Sequence, residues 1–155
     1  MSTKFEGTLL VVDDIERSKR FYKELFDLDV ICDFGANATL KGGISLQTKE
    51  SWTQFIGSSE KDIRYKGNDM ELYFVGTDVI GFDENAKRNG VEYLHGVKEM
   101  PWGQRVVRIY DPDHHLIEVG EEMVAVAKRL LSEEMSAEDV SAKTMFPLDE
   151  VRSFV

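Results

Sequence analysis

Cysteine occurs once in this chain, at Cys32, and one thiol excludes both an intrachain disulfide and a four-cysteine zinc centre. No stretch approaches the roughly 18–20 apolar residues that a membrane-spanning helix needs. The start, Met1-Ser2-Thr3-Lys4-Phe5-Glu6-Gly7, has no apolar signal core behind a basic head. These absences lead us to expect a cytoplasmic protein without a membrane partner. Bases are outnumbered: 19 Lys and Arg stand against 29 Asp and Glu, a formal charge of −10. Nucleic acid demands a positive footprint on phosphate, so no such partner is expected. The same balance tolerates a cationic small molecule. Histidine is scarce too, and His95, His114 and His115 do not form a spaced ligand cluster.

What is present suits a packed domain. The chain has 155 residues, 42% apolar and 31% charged, which is most simply one domain or one domain with a tail. Phe5 to Val12 reads as a strand ending at Asp13-Asp14, with Asp14 as N-cap of a helix running through IERSKRFYKELFDL. Ile15, Ser18, Tyr22 and Leu25 form its apolar stripe. Short strands follow at Asp29–Phe34, Ala38–Lys41 and Ile44–Thr48. A polar connector covers residues 49–69. A second strand, Met70 to Val75, then runs through Gly76-Thr77-Asp78 into a helix that Gly90 stops. Strands at Val91–Leu94, Arg105–Tyr110 and His115–Val119 complete the plan.

The two halves repeat. Gly7 to Ile15 set over Glu71 to Val79 gives the same strand, cap and helix start, and each half closes on a strand. A βαβββ unit made twice is the reading, each sheet giving one face to its helix and leaving one free. After Glu121 the chain turns helical: EMVAVAKRLL, then one helix capped by Ser136 with Asp139 three residues on, and another opened by Pro147. Among Glu121–Val155 acids number 8 and bases 4, so a superficial helix-turn-helix pattern there lacks phosphate contacts. An amphipathic tail that docks on its own domain or on a partner subunit fits better.

Glu118 poses a question. It lies in Leu116-Ile117-Glu118-Val119, a strand apolar on both faces, and an ionised carboxylate is almost never buried unpaired. Glu71, Tyr73 and Val75 share one strand face, an aromatic wall with a polar group, while Met70, Leu72 and Phe74 take the packing face. In Asp111-Pro112-Asp113-His114-His115, His114 is expected to hold a left-handed turn position. Cys32 is expected to be a small buried hydrophobe.

"VVDDIERSKRFYKELFDLDV" and "PWGQRVVRIYDPDHHLIEVGE" resemble the first βα unit and the closing hairpin of the glyoxalase/bleomycin resistance/dioxygenase superfamily, the vicinal oxygen chelate proteins. The resemblance covers residues 4–121, with modules at about 4–48 and 70–120, a connector at 49–69 and a helical tail at 122–155. It implies an α+β fold of two paired βαβββ modules forming a curved sheet around a cavity, plus the C-terminal helices. It also implies a homodimer. Relatives that use a metal place up to four ligands at positions matching Gly7, Ser45, Glu71 and Glu118 here. Gly7 has no side chain and a serine hydroxyl is a feeble ligand.

The resemblance therefore implies a small-molecule binder of the metal-independent, bleomycin-resistance type, with no cofactor and a ligand that the negative charge allows to be cationic. Trp52, Phe55, Tyr73 and Trp102 are its candidate ligand contacts. The alternative is a glyoxalase-like lyase or isomerase in which Glu71 and Glu118 act as acid and base, or hold a weak divalent metal. A plainer role for these carboxylates is pairing with an arginine of their own sheet, Arg105 or Arg108.

Overall fold

The computed structural model describes residues 3–154. The doubled βαβββ plan is present in full. The first module comprises β1 (Thr8–Val12), α1 (Ile15–Phe26), β2 (Val30–Asp33), β3 (Asn37–Leu40) and β4 (Ile44–Thr48). The second comprises β5 (Leu72–Gly76), α3 (Val79–Arg88), β6 (Tyr93–Glu99), β7 (Arg105–Tyr110) and β8 (Leu116–Glu121). Each forms a four-stranded mixed sheet in corresponding order, β1-β4-β3-β2 and β5-β8-β7-β6, with its first and last strands parallel. A parallel pair cannot be joined by a tight turn, so the helix and two intervening strands supply the long connection. Three tail helices follow: α4 (Met123–Ser132), α5 (Ala137–Thr144) and α6 (Leu148–Arg152). The chain packs as two compact units, one from the residues up to 70 together with 110–116, the other from 71–109 and the residues from 117 on.

Local signals fix the helix starts. The Asp14 carboxylate accepts from Arg17 N at 2.9 Å, and Asp78 accepts from Gly81 N at 2.8 Å. Ile15, Ser18 and Tyr22 are the buried face of α1. Tyr22 is fully buried, and its hydroxyl donates to Asp111 at 3.0 Å. Burial first, then the Asp111 charge, hold the Tyr22 phenol well above its ordinary range. Asp111 also takes the backbone N–H groups of Asp113 and His115 and contacts His115 Nδ1. His114 has φ 65°, the left-handed conformation expected of it. The Asp111–His115 turn is thereby tied to α1, with Asp113 accepting from Asp13 N and from Arg17.

The polar connector carries structure of its own: residues Lys49–Ile56 form α2, and Glu60–Asp62 make one 3₁₀ turn. No side chain caps α2 at Thr48, so the usual start signal is missing. Cys32 is exposed, not buried, because β2 is an edge strand with all four residues exposed.

The tail helices build a small core of their own from Val126, Ala127, Leu130, Val140 and Val151, all buried. They pack within the second unit, where α4 and α5 meet the turn between β6 and β7 at Gly103. Ser136 caps α5 by accepting from Asp139 N, and Pro147 precedes α6, as the sequence indicates.

Candidate functional site

Every residue of β8 is buried, Glu118 among them at 6% exposure. Its partner is Arg108 of β7. One guanidinium serves two carboxylates: Nη2 forms the ion pair with Glu118, while Nε donates to Glu71 at 2.8 Å. Strand periodicity explains the meeting. Glu71 precedes β5 on the face of Tyr73 and Val75, and β5 runs beside β8 with Tyr73 opposite Glu118. Of the two arginines considered, Arg108 makes this pair; Arg105 points its guanidinium to within 3.9 Å of Glu133 instead.

His95, which the sequence leaves without a role, joins them. It stands opposite Arg108 in the β6–β7 register. Arg108 Nη1 lies 3.3 Å from its Nε2, and its Nδ1 lies 2.8 Å from Gly96 O. A guanidinium only donates and a carbonyl only accepts, so these contacts are met by a neutral imidazole protonated at Nδ1. Burial raises the Glu118 carboxyl above its ordinary value; the Arg108 charge opposes this and the Glu71 charge adds to it. With both carboxylates ionised the triad keeps a surplus of one negative charge.

A metal fits this donor set poorly. Glu71 and Glu118 already spend oxygens on Arg108, and a guanidinium repels a cation placed between them. No group of three or more His, Cys, Asp or Glu suited to a metal occurs among the described residues. In the first module Ser45 lies 3.4 Å from the Thr39 hydroxyl. Gly7 cannot be replaced by a ligand in place, because a Cβ there would lie 2.1 Å from Gly43 O.

A second cluster continues along the sheet. Gln104, a polar residue with no marked role in the sequence, is buried at 4% exposure. Its amide nitrogen donates to Tyr73 Oη at 2.9 Å and to Glu121 O at 2.8 Å, and its oxygen accepts from Trp102 Nε1 at 2.9 Å. Nothing in the Pro101-Trp102-Gly103-Gln104 run marks the glutamine as buried; only the returning β8 does so. Tyr73 and Trp102 themselves are 55% and 43% exposed. Gly120 makes room, since a Cβ there would meet the Gln104 amide at 2.7 Å. The structure thus gathers Glu71, Glu118, Tyr73 and Trp102 in the second unit. Trp52 and Phe55 lie elsewhere, on α2 of the first unit, with Phe55 72% exposed.

Residues 5–124 match the glyoxalase-like domain family model. The chain is similar to the uncharacterized protein YraH of Bacillus subtilis (strain 168), 27% identical over 119 residues covering 71% of this chain and 91% of that protein. A solved structure of a protein of unknown function from Agrobacterium tumefaciens str. C58 is 32% identical, with TM-score 0.68, covering 79% of this chain and 96% of that one. A glyoxalase-related enzyme from Fulvimarina pelagi shares the fold at 20% identity and TM-score 0.68, covering 79% and 91% of the two chains.

Proposed function

This chain belongs to the glyoxalase-like domain family, and within it we propose that the protein is a metal-independent binder of a small organic molecule bearing a cationic group. One observation carries the reading: Arg108 occupies both carboxylates that a metal would need. The ligand surface is the exposed face of the second sheet. There the triad offers surplus negative charge, and Tyr73 and Trp102 offer half-exposed rings whose faces favour a cation. Binding rests on displacing water from these rings while the cationic group approaches Glu71, the more exposed of the two carboxylates.

The test pairs two titrations of chelator-stripped protein. Calorimetry with Zn²⁺, Ni²⁺, Mn²⁺ and Mg²⁺ should give no tight stoichiometric binding. Saturation-transfer NMR with benzamidine and phenethylamine as probes should show contacts that weaken in Glu71→Gln and in Trp102→Ala. Tight metal binding that disappears in Glu71→Gln would overturn the reading. A second reading has one specific support, the raised Glu118 carboxyl, which suits a general acid or base of a lyase or isomerase. It requires turnover in a screen of glyoxalase-type substrates, abolished by Glu118→Gln.

A further inference from the structure

The family match stops at residue 124, within the first turn of α4, yet the helices beyond it reach the aromatic part of the ligand surface. The contact runs through Arg129, whose side chain is 15% exposed. Its Nη2 donates to Gly103 O at 2.6 Å and to Glu121 Oε2 at 2.9 Å, and its Nε lies 3.3 Å from Glu121 Oε1. Glu121 in turn accepts from Arg105 N at 2.9 Å. One guanidinium therefore joins α4 directly to the turn before Gln104 and, through Glu121 of β8, to the strand after it. The turn is tight, closed by Gly103 N to Met100 O and by Met100 N to Gln104 O, each 2.8 Å. Gly103 has φ +87°, and a Cβ there would meet Leu130 of α4 at 3.0 Å and Lys143 of α5 at 3.3 Å. Only a bare backbone seats this closely on the tail.

Gln104 passes that placement on to two rings. It takes the Trp102 indole N–H, so that donor is spent within the protein and the exposed part of the ring meets a ligand through carbon. It donates to Tyr73 Oη, which leaves the Tyr73 hydroxyl hydrogen free to reach an acceptor on a ligand. A buried amide with every polar atom engaged holds its partners far more narrowly than solvent would.

We propose that Arg129 is a positioning residue for ligand recognition: by clamping the Met100–Gln104 turn it sets, through Gln104, the orientation of Trp102 and Tyr73. The C-terminal helices are then part of the recognition machinery, and the ligand they select carries a hydrogen-bond acceptor beside its flat or apolar part. This rests on the reading of that face as the ligand surface.

The test needs no ligand. The chain has two tryptophans, so Trp52→Phe leaves Trp102 as the only one, to be excited selectively at the red edge where tyrosine does not absorb. In that background Arg129→Met should shift Trp102 emission to the red and raise its acrylamide quenching roughly twofold, with far-UV circular dichroism unchanged. Gln104→Leu should produce the same signature, and Arg129→Met added to Gln104→Leu should add nothing, because both act along one path. An unchanged Trp102 signal in Arg129→Met would overturn the proposal, as would shifts that add. If Arg129→Met fails to fold, Glu121→Gln, which weakens the same clamp at constant shape, is read identically. Failure of benzamidine or phenethylamine to touch the wild-type face would sink the binding assignment while leaving the Trp102 result standing, so the two outcomes stay separate.

Discussion

Replacing Arg108 by Met strands two carboxylates on one sheet face. Glu118 is buried, with only 8% of its side chain exposed, so the variant should lose about 3 kcal/mol of stability in urea denaturation, the low end for breaking a buried pair because the guanidinium is itself a quarter exposed. The freed oxygens should also give Arg108→Met a divalent-cation affinity that calorimetry finds stronger than in wild type. Glu118 makes a separate prediction in pH. Its carboxyl lies above the ordinary 4.5 in the folded protein, so the fold holds that proton more tightly than the unfolded chain does. The resulting stabilisation is complete below the ordinary value and is lost as pH rises through the raised one. Glu118→Gln cannot lose it. The stability of this variant relative to wild type should therefore climb as pH rises above the ordinary carboxyl value, and a flat or falling difference would contradict the assignment. The residue Glu118 was legible as a problem in the sequence, a charge in an apolar strand. Its solution was not, because Arg108 lies a full hairpin away and strand alternation alone leaves Arg105 equally eligible.

Among the elements, the strands that crowd backbone against backbone are the most sensitive. Gly7 lies under the Gly42-Gly43 turn, with Thr8 N donating to Gly43 O at 3.0 Å. Gly7→Ala drives a methyl into that carbonyl and should cost about 1–3 kcal/mol, read as a lower thermal midpoint. Gly120→Ala on β8 should cost a similar amount, about 1–3 kcal/mol, by displacing Gln104, and should alter Trp102 emission as well. Element starts were legible where a side chain makes them: Asp14, Asp78 and Ser136 each cap the helix that follows. Helix α2 was not, since Thr48 makes no side-chain cap and no residue of the helix is buried, which blurs its apolar period. The edge position of β2, and with it the exposure of Cys32, follows from strand order, which local pattern does not encode.

At the scale of the whole molecule, the tail is continuous with what it packs on. Ending the chain at Glu122 removes Arg129 and leaves the buried Glu121 carboxylate without its cation. Such a truncation should lower stability by at least about 3 kcal/mol in urea, with looser near-ultraviolet dichroism from Trp102. A truncated protein as stable as the full chain would show that α4 to α6 ride on the fold without supporting it. The doubled plan was visible in the sequence because each module repeats its strand, cap and helix. The tail's reach to Gln104 was invisible, since it depends on a glycine turn seating against two helices. The Gly7–Gly43 approach has one more consequence, for descent. A lineage could not gain a side chain at position 7 by changing one codon, because the new Cβ would collide with the Gly43 carbonyl. The turn at Gly42-Gly43 would have to be reshaped first. Position 7 can change its chemistry only after the turn above it has moved.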